Sequence, residues 1–115
     1  MKTVQIYNQT QNHLVTSNGW IADTFWTRFR GLMGKKDIPT DYCLVIQPCN
    51  QIHMFSMKFA IDVVYLDANN VVVAIDNGLK PWSVGKKKPL ANKVLEFNTG
   101  YIKNKITMND SLLLK

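Results

Sequence analysis

The sequence predicts a mainly β, compact barrel-like domain of about seven or eight short strands with one short α-helix at residues about 24–33. Two observations carry this. Short apolar runs with a two-residue alternation recur along the chain, separated by Asn-, Gly- and Pro-containing turns. One stretch alone, "TFWTRFRGLMG" at 24–34, repeats its apolar residues with a helical period. Many short strands in 115 residues suggest a barrel or sandwich, and that length suits a single domain with a real core.

In chain order, "TVQIY" (3–7) and "HLVTS" (13–17) read as strands, the second closed by the turn dipeptide Asn18-Gly19. In the helix, Phe25, Trp26, Phe29, Leu32 and Met33 fall on one stripe, expected to pack on the sheet. Asp23 or Thr24 can cap its start, and Gly34 is placed for a left-handed stop. Arg28 and Arg30 fall at opposite edges of the stripe, so they do not grip one small anion together. "CLVIQ" (43–47) and "QIHMF" (51–55) read as a hairpin around Pro48-Cys49-Asn50. "IDVVYLD" and "VVVAIDN" form a second hairpin across Asn69-Asn70. "KVLEFN" (93–98) and "SLLL" (111–114) supply the last strands, with Glu96 expected to face solvent.

The composition, 46% apolar and 19% charged, is that of an ordinary soluble domain. No apolar run approaches the ~20 residues of a membrane span, and the first residues lack a signal-peptide core. The expected location is therefore the cytoplasm unless an export signal has been removed, with no membrane partner. A net charge of +6 favours anionic partners, but the cations are scattered and "GKKKP" (85–89) is their only run. Cys43 and Cys49 are expected to be free thiols, because a strand and turn between them would hold them too far apart to bridge.

The segments "TRFRGLMG", "FSMKFAIDVVYLD", "LKPWS" and "VLEFNTG", in this order and spacing, resemble the domain-of-unknown-function 192 family, also called uncharacterised protein family 0127. The resemblance runs from about residue 13 to the C-terminus. It places Arg28, Gly31, Leu32 and Met33 on an R-x-x-G-L-M motif, and Met57, Lys58 and Asp62 on M-K-x-x-x-D. Leu95, Glu96 and Gly100 fall on L-E-x-x-x-G. A subset of the family is similar in having Cys49 and His53 ahead of the methionine. That subset follows the Pro-Trp pair with arginine, where Ser83 stands here, so no anion contact is carried over to that position. The resemblance implies a β-rich barrel-like domain with a short helix, and no reaction.

The chemistry-bearing residues concentrate in "CNQIHMFSMKFAID", 49–62. On an extended strand His53, Phe55, Met57 and Phe59 share a face. Cys49 with His53 as base and Asp62 as orienting acid would make a nucleophile. Cys49, His53 and Met57 would make a soft metal set. Steps of about 13 Å along a strand argue against either, and neither a metal nor another cofactor is expected. Asp62 lies in a run apolar on both faces, so its carboxylate needs a partner; the helix offers Arg28, as an internal ion pair or as the polar floor of a pocket rimmed by His53, Met57 and Trp82. Trp82, between a proline and the lysine run, either covers the core or stays exposed for stacking.

These residues give three functional expectations. The first is a small β-barrel binding module, with a small anionic or polyhydroxyl ligand met by Arg28, His53, Met57, Asp62 and Trp82. The second is a hydrolase or transferase using His53 and Asp62 with Cys49 nearby. The weakest is a nucleic-acid-binding barrel, set against the lack of aromatics interleaved with basic residues; no specific nucleic acid is expected.

Overall fold

Seven of the apolar runs become strands in the computed structural model, which describes residues 1–115. They are β1 (Lys2–Asn8), β2 (His13–Ala22), β3 (Cys43–Ile46), β4 (Ile61–Leu66), β5 (Val72–Leu79), β6 (Lys93–Asn98) and β7 (Leu112–Leu114), with one helix, α1 (Phe25–Arg30), after β2. They form a single sheet of order β5-β4-β6-β3-β2-β1-β7, curled into a half-barrel. All pairings are antiparallel except β2 with β3. Val71 bridges Ser111, so the two edges of the sheet approach each other at one end. No helix is long and apolar enough to cross a membrane.

The expected β4–β5 hairpin and the last two strands are present. Two turn expectations are corrected. Asn18-Gly19 does not end β2; the strand runs through it, and a Cβ on Gly19 would lie 2.6 Å from the Val4 carbonyl oxygen of β1. Glycine here permits close strand approach rather than a turn. The hairpin of 43–47 with 51–55 does not form either. β3 is taken by β2 and β6 on its two sides, leaving no edge for the following segment. Residues 47–60 instead run as a loop.

Pleating sorts the buried residues into two cores, one on each face of the sheet. Inside the curl lie Ile6, Val45, Val64, Leu66, Leu95 and Phe97, closed off by Ile102 and Ile106. On the outer face lie Leu44, Ile46, Ile61, Val63, Tyr65 and Val94, covered by Leu32, Ile52, Met54 and Met57. β3 and β4 are therefore buried along their whole length.

The helix departs most from expectation. It has six residues and none is buried; Phe25, Trp26 and Phe29 are 77%, 63% and 52% exposed. Gly31 ends it three residues early, with φ 47° and ψ −124°, a conformation essentially reserved for glycine. The chain then turns and Leu32, rather than the aromatic stripe, fills the outer core. Loop residues cover the sheet where the helix was expected to lie.

Candidate functional site

The roof over the outer face is built from α1 and the 47–60 loop. Thr24 caps the helix reciprocally with Thr27: Thr27 N donates to Thr24 Oγ1 at 3.1 Å and Thr24 N to Thr27 Oγ1 at 3.2 Å. This fixes Arg28 one turn in, where its Nη1 donates to the Pro48 carbonyl at 3.3 Å. The loop is held on its other side by the 82–88 segment. Lys88 N donates to Asn50 O, Gly85 N to Ile52 O, Met54 N to Ser83 O and Trp82 N to Met54 O, all within 2.8 Å. His53, at the centre of this ladder, bridges Val84.

Under the roof is a small cavity, about 50 Å³, whose lining includes Arg28, Gly31, Cys49, His53, Met57 and Glu96. All three family motifs thus meet in one place: Arg28 and Gly31 from the first, Met57 from the second and Glu96 from the third. Glu96 is 4% exposed, and its Oε1 has no hydrogen-bond partner in the protein. Burial without a compensating charge pushes its carboxyl up from 4.5 to about 8, so it holds a proton at neutral pH. Arg28 Nε and His53 Nδ1 are likewise buried and unpartnered. Three uncommitted polar atoms around one cavity is an arrangement that folding alone penalises.

Cys49 shares this cavity but is not an activated thiolate. Burial pushes its thiol up, Glu96 adds to the rise, and nearby Arg28 only partly offsets it. Its Sγ donates to the Gln51 carbonyl at 3.2 Å. Cys43 is buried, and both cysteines are free. Cys49, His53 and Met57 are brought together by the loop rather than a strand, yet no three His, Cys, Asp or Glu side chains are grouped to hold a metal ion.

The cavity adjoins an apolar groove of about 360 Å³; Phe29, Met33, Gln51, Ile52 and His53 line both, and Phe55 and Val84 complete the groove. The ring of His53 sits between those of Phe29 and Phe55, at centroid distances of 6.0 and 5.2 Å. One continuous depression therefore has a polar end of atomic dimensions and an aromatic body within the size range of small-ligand sites.

Asp62 is elsewhere, which corrects the expected Arg28–Asp62 pair. On β4 it has the parity of Val64 and Leu66 and so points into the curl, whereas Arg28 lies over the outer face. Its two oxygens accept backbone N–H groups instead, from Gly78 at 2.7 Å and Gly100 at 2.8 Å. It belongs to the mouth of the half-barrel, a cavity of about 760 Å³ with Ile75, Ile102, Ile106 and Met108 in its walls. That cavity is larger, but its buried carboxylate is already satisfied by the backbone. The smaller cavity holds the uncommitted polar groups and is the better candidate site.

Trp82 is also outside the cavity; it is 66% exposed, with its ring 6.4 Å from that of Phe55. Of the expected site residues, Arg28, His53 and Met57 meet, with Cys49, while Asp62 and Trp82 do not join them. Glu96 was missed as a solvent-facing residue. It is buried because β6 lies between β3 and β4, with both faces covered. Its neighbours Val94, Leu95 and Phe97 are apolar at both parities, the signal that singled out Asp62.

Comparison with known proteins agrees with this fold. A UPF0127 protein of Thermococcus sibiricus is 37% identical over 103 residues, 84% of this chain and 65% of that protein. The chain thus spans less than two thirds of that relative's length. A UPF0127 protein of Pyrococcus horikoshii is 36% identical over 96 residues, 79% of this chain and 81% of that one. A crystal structure of a protein of unknown function from Novosphingobium aromaticivorans superposes with a TM-score of 0.80 at 17% identity, covering 96% of this chain and 83% of that one; it shows the fold alone. Residues 6–114 match the family DUF192, "Uncharacterized ACR, COG1430". The chain belongs to the DUF192 family.

Proposed function

We propose that the protein is a small β-barrel binding module for an anionic molecule with an apolar body. The anionic head, a carboxylate in its simplest form, enters the cavity between Arg28 and Glu96, and the body lies along Phe29, Met33, Phe55 and Val84. The observation that carries this is the set of three unpartnered polar atoms, Arg28 Nε, His53 Nδ1 and Glu96 Oε1, beside an apolar groove. A guanidinium donates to an anion, and a carboxyl that keeps its proton donates a second hydrogen bond where an ionised one would repel. A cavity of about 50 Å³ admits a head group of a few atoms and not a sugar ring, which favours the anionic over the polyhydroxyl ligand. The hydrolase or transferase reading loses Asp62 to the opposite face of the sheet and lacks an activated thiolate at Cys49.

Titration calorimetry with hexanoate and its neutral isostere hexanamide tests the proposal. Hexanoate should bind and hexanamide bind far less. Arg28→Gln should weaken hexanoate binding about tenfold or more, the value of one charge-assisted hydrogen bond. Equal affinity for acid and amide, or an Arg28→Gln variant that binds hexanoate as the parent does, would refute it.

A further inference from the structure

The aromatic stripe of α1, expected in the core, lies instead on the surface and has company there. Phe25 and Trp26 flank Phe29, His53 links Phe29 to Phe55, and Phe55 meets Trp82, with successive ring centroids 5.2–6.4 Å apart. Three separate segments thus contribute to one continuous surface whose large rings are 46–77% exposed, apart from half-buried His53. A monomer rarely leaves so many aromatic rings together in water. Trp82 is held there at φ 65°, a left-handed conformation that bulky side chains rarely adopt, by its N–H bond to Met54 O at 2.7 Å. The backbone accepts this strain, and the result is an indole displayed outward.

The segments that carry these rings are basic. Arg30, Lys35, Lys36, Lys58 and Lys80 are all exposed and lie within three residues of Phe29, Met33, Phe55 or Trp82. The acidic residues in the same segments are Asp23 and Asp37. Two copies meeting through this face would bring like charges together, whereas an anionic lipid surface complements them. Indole and phenyl rings favour the boundary between headgroups and acyl chains, and each lysine or arginine beside them adds attraction to acidic lipids. We propose that this face is a peripheral contact with anionic bilayers, with Phe25, Trp26, Phe55 and Trp82 entering the headgroup region and the five cations resting on acidic headgroups. The sequence expectation of no membrane partner rests on the missing apolar span, which a peripheral contact does not need.

Co-sedimentation with vesicles of phosphatidylcholine, alone or with about one third phosphatidylglycerol, tests this at ~0.1 M salt. The protein should pellet with the mixed vesicles and not the neutral ones, with a blue shift of tryptophan emission. Phe25→Ser with Trp82→Ser should lower the partition about tenfold or more. Both positions are exposed and neither lines the cavity, so melting and hexanoate binding should stay at parent values, separating this proposal from the preceding one. Lys58→Glu with Lys80→Glu should abolish the preference for acidic lipid while leaving the aromatics intact. Failure to pellet with mixed vesicles, or an undiminished partition in both double variants, would overturn the proposal. So would a lipid-free dimer that dissociates in the aromatic variant, which would make the face a contact between copies.

Discussion

Glu96→Gln should stabilise the protein at alkaline pH and leave it nearly unchanged at pH 4–5. In the folded chain the carboxyl titrates at about 8 because it is buried, against 4.5 for the ordinary group. Between these values the native state holds a proton that the unfolded chain has released. Stability from this group is therefore fully present below 4.5 and falls as pH rises, by about 1.4 kcal/mol per unit. The loss is complete above 8 and amounts to something on the order of 5 kcal/mol, a large part of the ~5–15 kcal/mol that holds a domain of this size together. Glutamine has the shape of the protonated acid and does not titrate, so the variant escapes this slope. Melting temperatures of both proteins, taken from pH 4.5 to 9, should diverge by about 10–20 °C. The slopes from all other groups are common to both and cancel in the difference. Parallel curves across this range, or a variant that loses stability relative to the parent as pH rises, would refute a buried and protonated Glu96.

Other substitutions separate the two faces of the sheet. Asp62→Ala should cost about 2–4 kcal/mol by leaving the Gly78 and Gly100 N–H groups unpaired. Its combination with Arg28→Ala should be additive within ~0.5 kcal/mol in a thermal double-mutant cycle, as sites on opposite faces require; strong coupling would mean that they touch. Cys49 should alkylate slowly at neutral pH and accelerate only above the ~8.5 of an ordinary thiol, since burial raises it; rapid reaction near pH 6 would restore the nucleophile. Oligonucleotide binding should be weak and vanish by ~150 mM salt in fluorescence anisotropy, and a sub-micromolar complex there would contradict a nonspecific origin.

The strands were legible where a run is apolar on one or both parities and bounded by turn residues, as in β4, β5 and β6. The burial of Asp62 followed from the same pattern. Its partner did not, because a strand pattern shows that two faces are covered without showing what covers each. The 49–59 segment has strand-like alternation, but an element forms only where a partner edge is free, and β3 has none. That loop brings Cys49, His53 and Met57 around one cavity in a way no strand spacing could reveal. The helix shows the converse limit. Its apolar period predicts one five-residue stripe, but the helix stops at Arg30, so Phe25, Trp26 and Phe29 stay outside while Leu32 goes in. Periodicity shows neither the early stop nor which way a stripe faces. Gly31 decides the matter by turning Leu32 inward in its place.

The proposed anion site rests on a proton that Glu96 would share with the ligand, so the dissociation constant of hexanoate against pH tests it most directly. From pH 6 to 10 affinity should be level up to about 8 and then weaken about tenfold per unit as Glu96 ionises, while in Glu96→Gln it should stay level throughout. An affinity that ignores pH in the parent, or falls equally in both proteins, would contradict a protonated Glu96 facing the ligand.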